Sequence, residues 1–431
     1  MARRGAQYRE LPFRGFFDGL NNVYREDNVP ASVLRKATNV DLLEQGRVVR
    51  RSGYTKLLNL QNARSLYVHN GTAYYAAGSE LRSCNLQTLE ETTVAPVAPQ
   101  AHISYTDVNG FLVFSDGDST LGRVDADGIA RPLSLATPGV PASVERNDFG
   151  RLPQGRYQIC VVYLRGREES GASAFLDVEL SADGGLTVAG LPQPQSGEVT
   201  QIRLYMTNPS GKAFYQVRDV PVGTVTTTLS DLPQGKELET QFLDPLPAGQ
   251  IVRLYNGRVY SAHGRYLCAS QPLRFGLYDK TQDYIELAAD IDMLEPNDNG
   301  LYVAAGKRTY FFAGDRLDEF QSRIVYPHGV VPGTPAQVPA SSFAFESLKT
   351  GKVVVWWSTN GVMVVGFPQG QVSVVREGEF ALPEYSYGSI MLRESEGRRQ
   401  LVSTLKEPKS DSSLAVSDSV SATVYRNGIE I

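Results

Sequence analysis

Apolar and polar positions alternate along much of this chain in short runs, and the runs fold around Asn-Gly pairs. The stretches "LYVHNGTAYYAAG", "TDVNGFLVFSDG", "RLYNGRVYSAHG", "EPNDNGLYVAAG" and "WWSTNGVMVVGF" repeat one shape. Asn-Gly between alternating apolar residues predicts a β-hairpin, because a type I′ turn needs positive φ at both central residues. The resulting register pairs Tyr67 with Tyr74, Leu66 with Tyr75, Tyr105 with Phe114 and Leu254 with Val259. It also pairs Trp356 with Val365 and Trp357 with Val364. Aromatic and β-branched cross-strand pairs of this kind contribute roughly 0.2–1 kcal/mol each.

The pairs begin at Asn70, Asn109, Asn256, Asn299 and Asn360, at intervals of 39, 147, 43 and 61 residues. Two intervals match the roughly 40–45 residues of a four-stranded propeller blade. The 61-residue interval reads as a blade with long loops, including the Pro-rich "VYPHGVVPGTPAQVPA". The 147-residue interval holds one blade plus an insertion of roughly 105 residues, taking about 42 per blade. Dividing 56–135 and 250–405 by that figure gives between five and six blades.

The insertion, 136–249, is bounded by Pro-rich runs, "ATPGVPAS" before and "LDPLPAG" after. Inside it, "RYQICVVYL" alternates as a strand, and "VTQIRLYMTNPSGKAFYQVRDV" reads as a hairpin turning at Asn208–Gly211. Short strands punctuated by turns over this length predict an immunoglobulin or fibronectin III-like β-sandwich. "GRYQICVVYLRGREESGAS" resembles the fibronectin type III pattern of a Tyr-bearing strand followed by a Glu-Ser-Gly-x-Ser loop. The fold class expected is therefore all-β: a β-propeller interrupted by a sandwich. An N-terminal segment with a short hairpin (1–55) precedes it, and a connector and a last strand (406–431) follow.

In the N-terminal segment, Pro30 can open one helical turn over Ala31–Lys36. "TNVDLLEQGRVVRR" then reads as a tight hairpin with Val40 and Leu42 on one arm, Val48 on the other and Gly46 at the bend. Arg47, Arg50 and Arg51 are either a solvated strand edge that discourages edge pairing or a protein-docking surface. "GLNNVYREDNVPASVLRKATNVDLLEQGRVVRRSGY" resembles the N-terminal signature of tail nozzle proteins of short-tailed bacteriophages, the tail tubular or packaged-DNA stabilisation proteins. Ala37, Asn39, Gly46, Arg51 and Gly53 carry the likeness, with a loose Gly-to-Arg spacing. The closing "VYRNGIEI" also resembles the way such chains end.

That resemblance implies a structural virion protein of the phage tail. It would be a homohexameric ring below the head-to-tail adaptor protein, with a central DNA-ejection channel. Arg47, Arg50 and Arg51 become the candidate adaptor or subunit interface, and tail fibres or a tail plug or needle are further partners. DNA is expected to pass without specific binding, since a basic wall would trap phosphates by counterion release.

Composition narrows the rest. The 431 residues are 42% hydrophobic and 21% charged, a globular balance. A net charge of −5 spread along the chain argues against a protein built to grip nucleic acid. The opening residues lack an apolar stretch of signal-peptide length, and no run reaches the ~18 apolar residues of a membrane helix. Synthesis in a host cytoplasm with no membrane partner is the expectation.

Cys84, Cys160 and Cys268 stand far apart, as do His69, His102, His263 and His328, so buried free thiols are expected and no metal site. His69 and His263 fall at or just after their turns and read as exposed loop residues. "ESLKTGKVV" has Glu346 and Val353 where a P-loop needs Gly and a hydroxyl. No GxSxG elbow or HExxH helix is present. The expectation is no catalytic residue and no cofactor. Two alternatives stand beside the nozzle: a carbohydrate-binding, lectin-like propeller using some of its 22 Tyr residues, and a propeller glycoside hydrolase using an acidic pair.

Overall fold

A computed structural model of the protein describes residues 15–43, 46–51, 53, 58, 60, 62–343, 351–375, 378, 382–395, 398–407 and 420–425. The regular elements are strands, with isolated 3-10 turns such as Glu26–Asn28 and Leu317–Glu319. The fold is all-β, and most strands belong to four-stranded antiparallel sheets whose strands follow in sequence order.

Five such sheets recur among the described residues, followed by a sixth of three strands. Sheet I is Arg64–His69, Thr72–Ala77, Glu80–Asn85 and Glu91–Pro96. Sheet II is Ser104–Val108, Phe111–Ser115, Leu121–Val124 and Ala130–Pro132. Sheet III is Ile251–Tyr255, Arg258–His263, Tyr266–Ala269 and Tyr284–Glu286. Sheet IV is Ile291–Asn297, Gly300–Ala305, Arg308–Ala313 and Gln321–Tyr326. Sheet V is Ala336–Pro339, Lys352–Trp357, Met363–Gly366 and Val372–Val375. Sheet VI has three strands, Tyr387–Ser395, Arg398–Lys406 and Val420–Tyr425. The final alternating run thus joins sheet VI, while 408–419 and 426–431, which hold most of the expected connector and the chain end, lie outside the described residues.

The chain divides into two compact units. One, Leu60–Leu287 with Arg316–Asp318, contains sheets I–III. In it, successive residues of a central strand point to opposite faces. Leu112 and Phe114 of sheet II pack on Tyr74, Ala76 and Leu81 of sheet I, while Val113 between them packs on Val252 and Val259 of sheet III. Side-chain hydroxyls stitch the first strands together. Ser65 Oγ accepts from the N–H of Ile103 at 2.8 Å, Ser104 Oγ from that of Val252 at 3.0 Å, and Thr106 Oγ1 from that of Leu254 at 3.1 Å. These bonds occupy edge groups that would otherwise template foreign pairing.

The second unit holds the N-terminal segment and sheets IV–VI. The same alternation splits its two tryptophans. Trp356 packs on Met293, Tyr302 and Phe311 of sheet IV; Trp357 joins Leu401 and Leu405 of sheet VI. Trp357 Nε1 donates to Ser403 Oγ at 2.9 Å, and Tyr302 O–H donates to the Phe367 carbonyl at 2.6 Å. The tips of Trp357 and Tyr302 are thereby satisfied, whereas Trp356 Nε1 is buried without a hydrogen-bond partner among the described residues.

Three of the five Asn-Gly pairs make the two-residue turn that the sequence predicts. Asn70, Asn109 and Asn256 take φ of 48°, 46° and 44°, and Tyr67 faces Tyr74, Tyr105 faces Phe114 and Leu254 faces Val259. The others differ. At Asn299 the turn is Asp298-Asn299 and Gly300 already lies in the strand, opposite Asn297. At Asn360 three residues form the loop, with Gly361 at φ 82° and its N–H on the Ser358 carbonyl, so Trp356 faces Val364 and Trp357 faces Met363. A type I turn followed by a left-handed residue is the next commonest hairpin after the primed turns. Leu66 does not face Tyr75: a bulge at Ser65, φ 55°, shifts the register there and Leu66 is exposed.

Between sheets II and III, residues 143–229 form two further sheets. Ser143–Leu152, Gly184–Ala189 and Thr226–Leu229 make one; Gly155–Arg165, Leu176–Leu180, Gln201–Thr207 and Phe214–Pro221, with Glu168–Glu169, make the other. They share one core in which Leu152, Leu186, Val188 and Leu229 meet Tyr157, Ile159, Val161, Ile202 and Leu204. The hairpin over 208–211 forms as expected. The Glu-Ser-Gly-x-Ser loop completes a broken ladder. Ser173 Oγ accepts from the Val161 N–H at 3.0 Å and Ser170 Oγ from the Tyr163 N–H at 2.9 Å, between the stretches where Leu176–Leu180 and Glu168–Glu169 pair. The module is tied to sheet II by ion pairs. Arg123 of sheet II meets Glu168 at 2.6 Å, and Arg165 donates to the Pro132 carbonyl of sheet II at 3.0 Å while pairing within the module with Glu168 at 2.7 Å and Glu198 at 2.6 Å.

Candidate functional site

The candidate arginines lie on a small hairpin whose backbone is fixed by three devices. Asn21 is buried, and its Oδ1 accepts from the Val23 and Tyr24 N–H groups, both at 3.0 Å. Asn21 N–H donates to Leu34 and Leu34 N–H to Gly19, a parallel bridge that anchors the segment to itself. Gly46, at φ 70°, accepts from the Phe16 N–H at 2.9 Å, and a Cβ there would meet that nitrogen at 2.6 Å. Only glycine satisfies both the left-handed turn and the close approach.

Val40–Leu42 pairs with Val48–Arg50, with Val40 opposite Arg50 and Leu42 opposite Val48. Alternation then sorts the arginines. Arg50 shares a face with Val48, whereas Arg51 falls on the opposite face, with Asp41. Arg51 Nε meets Asp41 Oδ1 at 3.1 Å, with the side chains only 27% and 10% exposed. Arg51 N–H donates to Asn39, which takes φ 55° and extends the ladder. Arg51 therefore holds the hairpin, while Arg47 and Arg50 are exposed with no ion-pair partner among the described residues. Phe17, Val23, Tyr24 and Val48 are also exposed on this segment, and periodicity alone gave no sign of them. Exposed aromatic and Arg side chains are the residues most enriched at protein interfaces.

No helical turn forms at Ala31–Lys36. Pro30 instead opens a tight turn closed by the Val33 N–H on the Pro30 carbonyl, and the 3-10 turn precedes it at Glu26–Asn28. Of the residues carrying the sequence likeness, Asn39, Gly46 and Arg51 have structural work, while Ala37 is exposed and Gly53 has open space around it.

His69 is not an exposed loop residue. It ends a strand with its side chain 13% exposed, and its Nδ1 meets Asp107 at 2.5 Å. Tyr67 O–H donates to the same carboxylate at 2.8 Å, and the Tyr67 ring stacks on Tyr105 with centroids 5.2 Å apart. Asp107 thus clamps sheet I to sheet II. His263 is exposed, with Nδ1 2.7 Å from the Ala248 carbonyl. All three cysteines are free and buried; burial pushes the Cys160 thiol up to about 12 and that of Cys268 up to about 11. Among the described residues no group of three or more His, Cys, Asp and Glu is placed to hold a metal ion, and no helix is long and apolar enough to cross a membrane. Part of "ESLKTGKVV" (344–350) lies outside the described residues.

No family model matches the chain, and no curated protein matches it. Solved structures it is similar to include the Pan2 WD40 domain of Neurospora crassa, at 9% identity and a TM-score of 0.31, covering 79% of this chain and 85% of that one. BBS1N in complex with ARL6DN is similar at 12% identity and a TM-score of 0.35, covering 87% and 96%. A luciferin-regenerating enzyme is similar at 12% identity and a TM-score of 0.33, covering 86% and 92%. At these TM-scores the likenesses carry no argument about activity.

Proposed function

We propose that the chain is a structural subunit of the tail nozzle of a short-tailed bacteriophage, with its sheets closed into a β-propeller and its inserted module a sandwich of immunoglobulin or fibronectin type. Support for the propeller comes from the stacking of four-stranded antiparallel meanders, I on II on III and IV on V. Stiff bodies of this kind repeat well around a rotation axis, and closed symmetry gives a ring instead of a filament.

The observation that carries the reading is the N-terminal segment. Its family-like residues Asn39, Gly46 and Arg51 fix the backbone, and that backbone presents Arg47, Arg50, Phe17 and Tyr24 to solvent. In the proposal Arg47 and Arg50 contact the adaptor or a neighbouring subunit, Arg51 positions them, and DNA slides through a bore that is not basic. The protein resides in the virion tail after synthesis in the host cytoplasm.

Negative-stain imaging of the purified chain, alone and mixed with a head-to-tail adaptor protein of the same phage, tests this. Rings of six that stay assembled in wild type and fall apart in the Arg47→Glu/Arg50→Glu double variant are expected. Monomers that never associate with the adaptor overturn it.

A further inference from the structure

We propose that the cleft between the turns at 240–243 and 271–274 binds a neutral sugar ring, with Phe242 as its stacking platform. This inference is independent of the nozzle reading. The cleft is an open one of about 460 Å³, within the roughly 300–1,000 Å³ of small-molecule sites. Six of its nine lining residues carry planar polar groups: Glu239, Gln241, Gln271, Arg274, Asp279 and Gln282. Carboxylate, amide and guanidinium groups present paired donors or acceptors in a plane, the arrangement that meets two adjacent hydroxyls of a pyranose. The Gln241 side chain is half-buried and makes no hydrogen bond among the described residues.

The two turns are built at a cost. Leu243 N–H closes on Thr240 at 3.3 Å and Arg274 N–H on Gln271 at 3.2 Å. Phe242 and Leu273 occupy the third position of these turns at φ 65° and 58°, where glycine or asparagine is preferred. A bulky residue held there is a strained outlier, and such outliers cluster at ligand clamps. Packing does not explain the choice, because Phe242 is 69% exposed and Leu273 is 73% exposed. The Phe242 ring is held at the edge of a polar cleft, an apolar face beside hydroxyl-matching groups. That combination suits a sugar, which has one C–H face and a polar rim.

Charge selects among sugars. Arg274 pairs with Glu239, tying the two turns together, Gln271 donates to Asp283, and Asp279 accepts from Thr281 and Gln282. That leaves the Gln241 amide as the lining group without an internal hydrogen bond among the described residues. Two carboxylates against one guanidinium leave the cleft acidic, so a neutral glycan is favoured over a sialylated, sulfated or uronic one.

A printed array of neutral and acidic oligosaccharides, probed with the full chain, tests the proposal, and each hit is then titrated by calorimetry. Neutral glycans are expected to bind, with Phe242→Gly weakening the hit at least tenfold while raising the melting temperature by relieving the turn. Phe242→Tyr keeps the ring and keeps the binding, which holds the test open should the glycine variant fold poorly. No hit, hits confined to acidic glycans, or hits indifferent to both Phe242→Gly and Gln241→Ala would overturn it. Loss of self-association in Phe242→Gly without any sugar bound would overturn it too, by assigning the turns to a protein contact.

Discussion

Ser170 Oγ lies 2.9 Å from the backbone nitrogen of Tyr163, in the place a neighbouring strand's carbonyl would occupy. Ser173 does the same for Val161 at 3.0 Å. Both N–H groups are buried, so removing either hydroxyl leaves a donor unsatisfied, at about 1–3 kcal/mol. Ser170→Ala and Ser173→Ala are each expected to lower the urea midpoint by an amount in that range. Ser170→Thr, which keeps the oxygen, should lose less.

Glu168 couples the inserted module to sheet II, and its carboxyl responds to opposing influences. Burial pushes it up, but hydrogen bonds from Arg123 and Arg165 outweigh this and hold it below the ordinary 4.5. A depressed carboxylate adds stability that is full above its unfolded value and disappears as pH falls through the folded one. Wild type should therefore lose urea resistance below about pH 4.5 more steeply than Glu168→Gln. Equal slopes for the two proteins would remove Glu168 from the account.

Asp292 behaves in the opposite sense. Burial, with Asp290 nearby, pushes its carboxyl up to about 6 from 3.8. Its ionised form is disfavoured in the folded chain, so it costs stability in full above about pH 6 and nothing below 3.8. Asp292→Asn is expected to raise the melting temperature at neutral pH, with the gain shrinking through pH 6 and absent at pH 3.8. Thermal melts across that range check it.

The glycines of the first and fourth Asn-Gly pairs should respond unequally to alanine. Gly71 sits in a turn at φ 78° with open space around it, so Gly71→Ala meets only the left-handed penalty, about 1–2 kcal/mol. Gly300 lies in a strand, where a Cβ would stand 2.2 Å from the Phe312 carbonyl oxygen and 2.8 Å from the Phe311 ring. Gly300→Ala is expected to destabilise more than Gly71→Ala in denaturant titrations.

That contrast explains what was legible in the sequence. An Asn-Gly pair announces a hairpin, but its loop length is decided by the neighbours it must pack on, and Gly300 is a glycine for closeness to sheet IV's next strand. The sequence also carries a second repeated signal: Gly78, Gly117, Gly264 and Gly306 each stand eight residues after Asn70, Asn109, Asn256 and Asp298. In sheets I, III and IV these glycines, at φ 61°, 57° and 57°, turn the second strand into the third. The spacing also marks Asp298, not Asn299, as the start of the fourth turn.

Within the N-terminal hairpin, composition offered three equivalent arginines; strand alternation turns Arg50 away from the Asp41 face, and Arg51 rather than Arg47 meets that carboxylate, at 3.1 Å. The cleft at Phe242 left no trace in the sequence. Its two walls are about thirty residues apart and each reads as an ordinary Pro- or Gln-containing loop.

The three buried thiols give the molecule a built-in set of opening sensors. Cys84 lies in sheet I, Cys160 in the inserted module and Cys268 in sheet III, none in a disulfide. A buried thiol, shielded from reagent, reacts only when its own sheet breathes. Timed alkylation with mass-spectrometric readout would then clock three regions separately in one tube, without a label or a mutation.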